Sequence, residues 1–124
     1  MPLIDNTDTR FHFECDECNQ YLIVLDSPLS FTAGDCHYVI EPGYVSDGMS
    51  VPEWLWMFIS PKFNPVTLLP SLVHDWLYDN HVMTREEADN WYRSALIENG
   101  FPCWKTGIVY AAVRKFGESH WGNG

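Results

Sequence analysis

The chain predicts an α+β fold, a small antiparallel sheet in its N-terminal half followed by three packed helices. Three observations carry this. Short alternating runs of β-forming residues are confined to about residues 1–50, apolar residues at helical spacing are confined to about 51–124, and turn or cap signals stand at the joins. With 124 residues, 46% hydrophobic and 15% aromatic, one domain covering 1–124 can fill a real core.

The strands come first. Phe11, Phe13 and Cys15 alternate with polar partners, and Tyr21–Leu25 reads YLIVL, with CDECNQ as the turn between. A second pair surrounds Phe31, Tyr38, Val39, Ile40 and Tyr44, with turns at Ala33-Gly34-Asp35 and Glu41-Pro42-Gly43. Asp47-Gly48 and Ser50 to Glu53 read as a turn followed by a capping box, and the aromatic stretch Trp54, Trp56, Met57, Phe58, Ile59 is either core or a surface for a partner or lipid.

The helices are better marked. Leu69, Leu72, Val73, Trp76 and Leu77 form one apolar stripe, with Pro70 expected in the first turn. Thr84 and Glu87 form a capping box that opens a second helix, with Ala88, Trp91, Tyr92, Ala95 and Leu96 on one face and Gly100 as a left-handed cap. Pro102 is expected at the first position of a third helix, carrying Ile108, Val109, Ala112, Val113 and Phe116 and closed by Gly117. The tail ESHWGNG reads as a loose end.

Charge and cysteines limit the function classes. A net charge of −10 with seven Lys and Arg gives no footprint for a phosphate backbone, so no nucleic-acid partner is expected. No basic start with an apolar run, and no apolar stretch of about 18 residues, marks a secretory signal or a transmembrane segment. The expectation is a protein soluble in the compartment where it is made. Cys15 and Cys18 are a Cys-x-x-Cys pair, and with Cys36 and either His37 or Cys103 they define an alternative zinc site; the other reading is free thiols.

Catalytic residue types meet at catalytic spacing in residues 74–89, HDWLYDNHVMTREEAD. An antiparallel pairing of the first two helices sets His74 and Asp89 at similar heights. His74 then serves as base and Asp89 as its orienter. Asp75 points about 100° away from His74, which suits a metal ligand beside the base, and Asp47 can complete the shell. That set suits metal-assisted attack of water on an ester or amide. The competing reading is structural: a His beside an apolar stripe that locks two helices through a carboxylate. His81 is expected to act as a partner of the helix C-terminal dipole, whereas His12, His37 and His120 have no evident partner.

The succession EPGYVSDGMSVPEWLW, LVHDWLY, TREEADNWYRSAL and AAVRKFG, over about residues 28–121, resembles the phage and prophage family called domain of unknown function 1353. The resemblance implies an α+β domain of tailed-phage or prophage origin. Met49 stands where that family usually has a small residue. More locally, HDWLY is similar to the HDxxY helix motif of phospholipases A2. That likeness implies His74 as general base, Asp75 as a calcium ligand, and Tyr78 with Asp89 holding the imidazole. Two readings follow. One is a metal-assisted hydrolase of lipid or cell-envelope material, with calcium favoured over zinc at His74 and Asp75. The other is a non-catalytic virion or tail-associated binding module. Either would be found in the host cytoplasm during infection or in the virion.

Overall fold

The computed structural model describes residues 3–5, 9–15, 17, 21–46 and 65–121. Among these residues there are six strands: β1 (Ile4–Asp5), β2 (Phe11–Cys15), β3 (Tyr21–Leu25), β4 (Leu29–Ala33), β5 (Cys36–Ile40) and β6 (Val45–Ser46). Four helices are also described: α1 (Pro65–Asn80), α2 (Arg85–Glu98), α3 (Cys103–Phe116) and the single turn α4 (Glu118–Trp121). The α+β expectation holds, with the strands divided into two antiparallel sheets, ordered β1-β4-β5 and β2-β3-β6.

The division falls at Asp26-Ser27-Pro28, between β3 and β4. Pro28 cannot donate to a ladder, which fits a break at this point. Ser27 Oγ accepts from the Arg10 amide at 2.8 Å, and Asp26 N donates to Arg10 O at 2.8 Å. Beyond the break the β4–β5 hairpin runs in register from Leu29↔Ile40 to Ala33↔Cys36, leaving Gly34 and Asp35 as its loop. Gly34 has φ +61, the first central residue of a two-residue turn that favours glycine. The β3–β6 pairing runs on past its ladder, where Leu25 N donates to Tyr44 O at 2.9 Å and Gly43 N donates to Leu25 O at 2.7 Å.

Alternation along β4 buries Leu29 and Phe31. The Phe31 ring lies 5.2 Å from Tyr38, 5.5 Å from Trp76 and 5.4 Å from Trp91, so the sheet meets α1 and α2 through aromatic edges. Leu72, Val73 and Leu77 from α1, Leu96 from α2, and Val109 and Val113 from α3 are fully buried in the same cluster. Each contributes roughly 1.5–3 kcal/mol relative to exposure. By contrast β2 is largely exposed despite its alternation.

Three boundaries differ from the sequence expectation. The first helix begins at Pro65, so Pro70 lies inside it at the sixth position. The missing amide there removes one helical bond near the N-terminus, where the loss is smallest. Pro102 caps α3 from outside, with extended backbone (φ −57, ψ 137), and its carbonyl accepts the first helical bond from Thr106 N at 2.9 Å. The expected loose tail contains α4, and His81 Nε2 bonds the Trp121 carbonyl at 2.9 Å.

The caps of α2 follow the sequence. Thr84 Oγ1 accepts from Glu87 N at 3.1 Å, while Glu87 Oε1 accepts from Thr84 N at 3.0 Å. At the other end Gly100 N donates to Ile97 O and Phe101 N to Leu96 O, each at 3.0 Å, with Gly100 at φ +91. These are the paired bonds of a Schellman cap, and Phe101 is buried beyond them.

Candidate functional site

A helix hairpin brings His74 and Asp89 together. The α1 stripe turns its His74 to the partner helix, and the capping box fixes where α2 begins, so residue 89 falls opposite residue 74. His74 Nε2 lies 2.8 Å from Asp89 Oδ1, and Tyr78, one turn along α1, donates its hydroxyl to the same oxygen at 2.5 Å. His74 is 1% exposed and Asp89 0%.

The second carboxylate oxygen faces cations. Arg114 Nη1 from α3 lies 2.8 Å from Asp89 Oδ2, and Arg85 Nη1 lies 3.7 Å from it. Arg85 also donates to the carbonyls of Val113 and Arg114 at 3.1 Å each, so the first turn of α2 grips the last turn of α3. Burial alone pushes the Asp89 carboxyl up. The hydrogen bonds from His74 and Tyr78, the charge of His74 and the Arg114 bond outweigh it and hold the group below the usual carboxylate range. An ionised Asp89 can only accept, so His74 Nε2 carries the hydrogen of the bond between them.

Aromatic rings hold the imidazole in place. Tyr92 stacks on it with centroids 4.4 Å apart and planes at 22°, and Tyr78 packs at 4.4 Å and 46°. The buried Tyr92 hydroxyl shares a 2.8 Å bond with Ser71 Oγ. Burial raises the Tyr78 phenol, and its bond to Asp89 adds to the effect, so Tyr78 remains a donor. On the far side, Trp121 meets Tyr78 edge to face at 5.1 Å and stacks on His81 at 3.9 Å. His81 holds a left-handed φ of +51 just past α1, so its position is set by this tether.

Gly117 completes the enclosure. A Cβ built there would lie 2.7 Å from Tyr78 Oη and 3.2 Å from Arg85 Nη1, so main chain alone fits against the phenol. Its φ of −74 is ordinary, and close approach is the reason for glycine.

The predicted residues divide accordingly. His74, Tyr78 and Asp89 come together, and Asp75 turns elsewhere, half-buried. Asp75 interacts with Tyr44, whose hydroxyl donates to Asp79 Oδ2 at 2.6 Å; burial first, then the charge of Asp75, pushes that phenol far up. Asp47, Cys18 and the aromatic stretch at 54–59 lie outside the described residues. Cys15, Cys36 and Cys103 are exposed and outside any disulfide, on β2, β5 and α3. Among the described residues no three His, Cys, Asp or Glu side chains gather as a metal site.

Sequence reasoning missed Arg85, Arg114, Tyr92 and Gly117 as site members. The signal available was their place inside TREEADNWYRSAL and AAVRKFG. It also missed a partner for His12, whose Nδ1 lies 2.7 Å from Asp26 Oδ2 and whose Nε2 lies 2.6 Å from Glu14 Oε2.

Residues 23–113 match the family described as protein of unknown function (DUF1353). The uncharacterized protein y4jT of Sinorhizobium fredii (strain NBRC 101917 / NGR234) is 28% identical over 97 residues, covering 77% of this chain and 29% of its own length. The uncharacterized protein y4iH of the same strain is 29% identical over 77 residues, covering 62% of this chain and 32% of its own. The chain thus spans about a third of the length of these curated relatives. No solved structure matches it.

Proposed function

Taking as premise that the chain belongs to the DUF1353 family, we propose that it is a hydrolase of lipid or cell-envelope material with His74 as general base. The observation carrying this reading is the 2.8 Å bond from His74 Nε2 to a fully buried Asp89 that Tyr78 and Arg114 also hold. Asp89 orients the ring and stabilises the imidazolium formed when water is deprotonated. The hydroxide attacks an ester carbonyl, and the imidazolium returns its proton to the leaving alcohol. Tyr78 and Tyr92 orient the ring. No step is routed through a metal. The likeness of HDWLY to the phospholipase A2 motif supports the choice of ester and lipid.

The test is hydrolysis of phosphatidylglycerol and of envelope fragments by wild type and His74→Asn, with thermal midpoints measured alongside. Loss of a general base predicts turnover down about 100-fold or more in a variant that still folds. A wild type inert on every ester and envelope fragment sinks the hydrolase.

One observation favours a second reading: at 1% exposure the His74 ring is closed to solvent in this conformation. In that case the cluster locks α1, α2 and α3 in a non-catalytic module of a phage virion or tail. Inert wild type together with a destabilised His74→Asn supports that reading.

A further inference from the structure

We propose that the outward face of α3 docks the protein onto an anionic lipid surface. The helix carries Lys105, Arg114 and Lys115 and no acid, on a chain whose net charge is −10. Its inner face is spent on the core, where Thr106, Val109, Ala112 and Val113 are buried, and Arg114 is spent on Asp89. The outer face is apolar, with Trp104 66% exposed, Ile108 40% and Phe116 38%. At about 100° per residue, Trp104, Ile108 and Lys115 fall within about 40° of one another, while Lys105 and Phe116, at about 100° and 120°, stand at the rim beyond the buried Ala112.

The two lysines lie beside aromatic rings at opposite ends of this face. Lys105 Nζ is 5.4 Å from the Trp104 centroid, and Lys115 Nζ is 5.4 Å from that of Phe116. A ring that enters the headgroup boundary beneath an ammonium that meets phosphate is how a helix lies in an interface. No helix among the described residues is long and apolar enough to cross a membrane, which fits a helix lying on the surface. The acidic remainder of the chain opposes approach only within a Debye length, about 10 Å at 0.1 M salt.

Charge complementarity selects the occupant. A neutral or basic partner would gain nothing from Lys105 and Lys115, and an anionic bilayer gains from both these lysines and the rings beside them. The inference is independent of the His74 reading, because binding is measured without turnover.

The experiment is cosedimentation at 0.1 M salt with vesicles of equal phosphatidylglycerol and phosphatidylcholine, and with phosphatidylcholine alone. Wild type, Trp104→Ala and the double variant Lys105→Gln/Lys115→Gln are compared, all at exposed or half-exposed positions, with circular dichroism to confirm folding. Expected is binding to the anionic vesicles only, weakened about 5-fold per lysine removed and also weakened by Trp104→Ala. No binding by wild type, equal binding to both vesicles, or binding undiminished in the variants overturns the proposal. So does concentration-dependent dimerisation that Trp104→Ala abolishes while vesicles go unbound, which would make the face a contact between copies.

Discussion

Asp89→Asn perturbs the centre of the helical half while nearly preserving its shape. Three groups donate to the carboxylate: His74 at 2.8 Å, Tyr78 at 2.5 Å and Arg114 at 2.8 Å. An amide removes the charge and turns one oxygen into a donor facing another donor. Breaking a buried pair costs about 3–5 kcal/mol. Because the Arg114 side chain is 33% exposed and can turn to water, the lower end applies, about 3 kcal/mol. For a domain of this size that is a fall in Tm of roughly 9–15 °C. Urea unfolding at pH 7 should show a lower midpoint with an unchanged slope. The pH dependence adds a second reading. The folded carboxyl is held below its ordinary value, so its contribution is present above about pH 4 and is lost as pH falls through the folded pKa. That part of the acid limb should vanish in the variant. A loss under about 1 kcal/mol at pH 7, with the acid limb unchanged, would refute an ionised Asp89.

Gly117→Ala should destabilise by about 1–3 kcal/mol, since its methyl would lie 2.7 Å from Tyr78 Oη; a thermal midpoint within about 1 °C of wild type would contradict that contact. Thr84→Ala removes the side chain that caps α2 and should cost about 1 kcal/mol by urea unfolding. His12 bonds Glu14 and Asp26 through both nitrogens, and a neutral ring donates through only one, so these bonds raise its pKa. Its contribution is full below about pH 6.5 and disappears as pH rises through the raised folded value. An NMR titration of its ring protons should show that elevation, and His12→Ala should remove this part of the pH dependence of stability.

What the sequence disclosed follows from the reach of its signals. The His74–Asp89 contact was legible because a short connection and two 3.6-residue stripes fix how neighbouring helices face each other. Tyr78 came with it, one turn along the same stripe. Arg114 was not, because its contact depends on the rotation of α3, which Val109 and Val113 settle only after packing. The two-sheet arrangement was hidden for a similar reason: Asp26-Ser27-Pro28 reads equally as a bend within one sheet. Pro70 misled because a proline is weighed as a helix boundary, while α1 already has Pro65 at its first position. The interaction of Asp75 with Tyr44 from the sheet half could not be read from its angle to His74, because it depends on how sheet and helices pack.

The span of the contacts along the chain orders the assembly. Asp89 meets Tyr78, His74 and Arg114 across 11, 15 and 25 residues, whereas Trp91 Nε1 reaches Thr32 O across 59 and Leu3 N reaches Glu98 across 95. Loop closure favours the short spans, so the expectation is that the helix contacts around the carboxylate close before those that join helices to sheet. On a ribosome the order of emergence is the reverse. β4 leaves the tunnel with Phe31 covered only by Tyr38 of its own hairpin, and the cover from the helices is incomplete until residue 91 has been made. During those seconds the nascent hairpin is the stretch for which a chaperone, or a wrong partner, competes with the native fold.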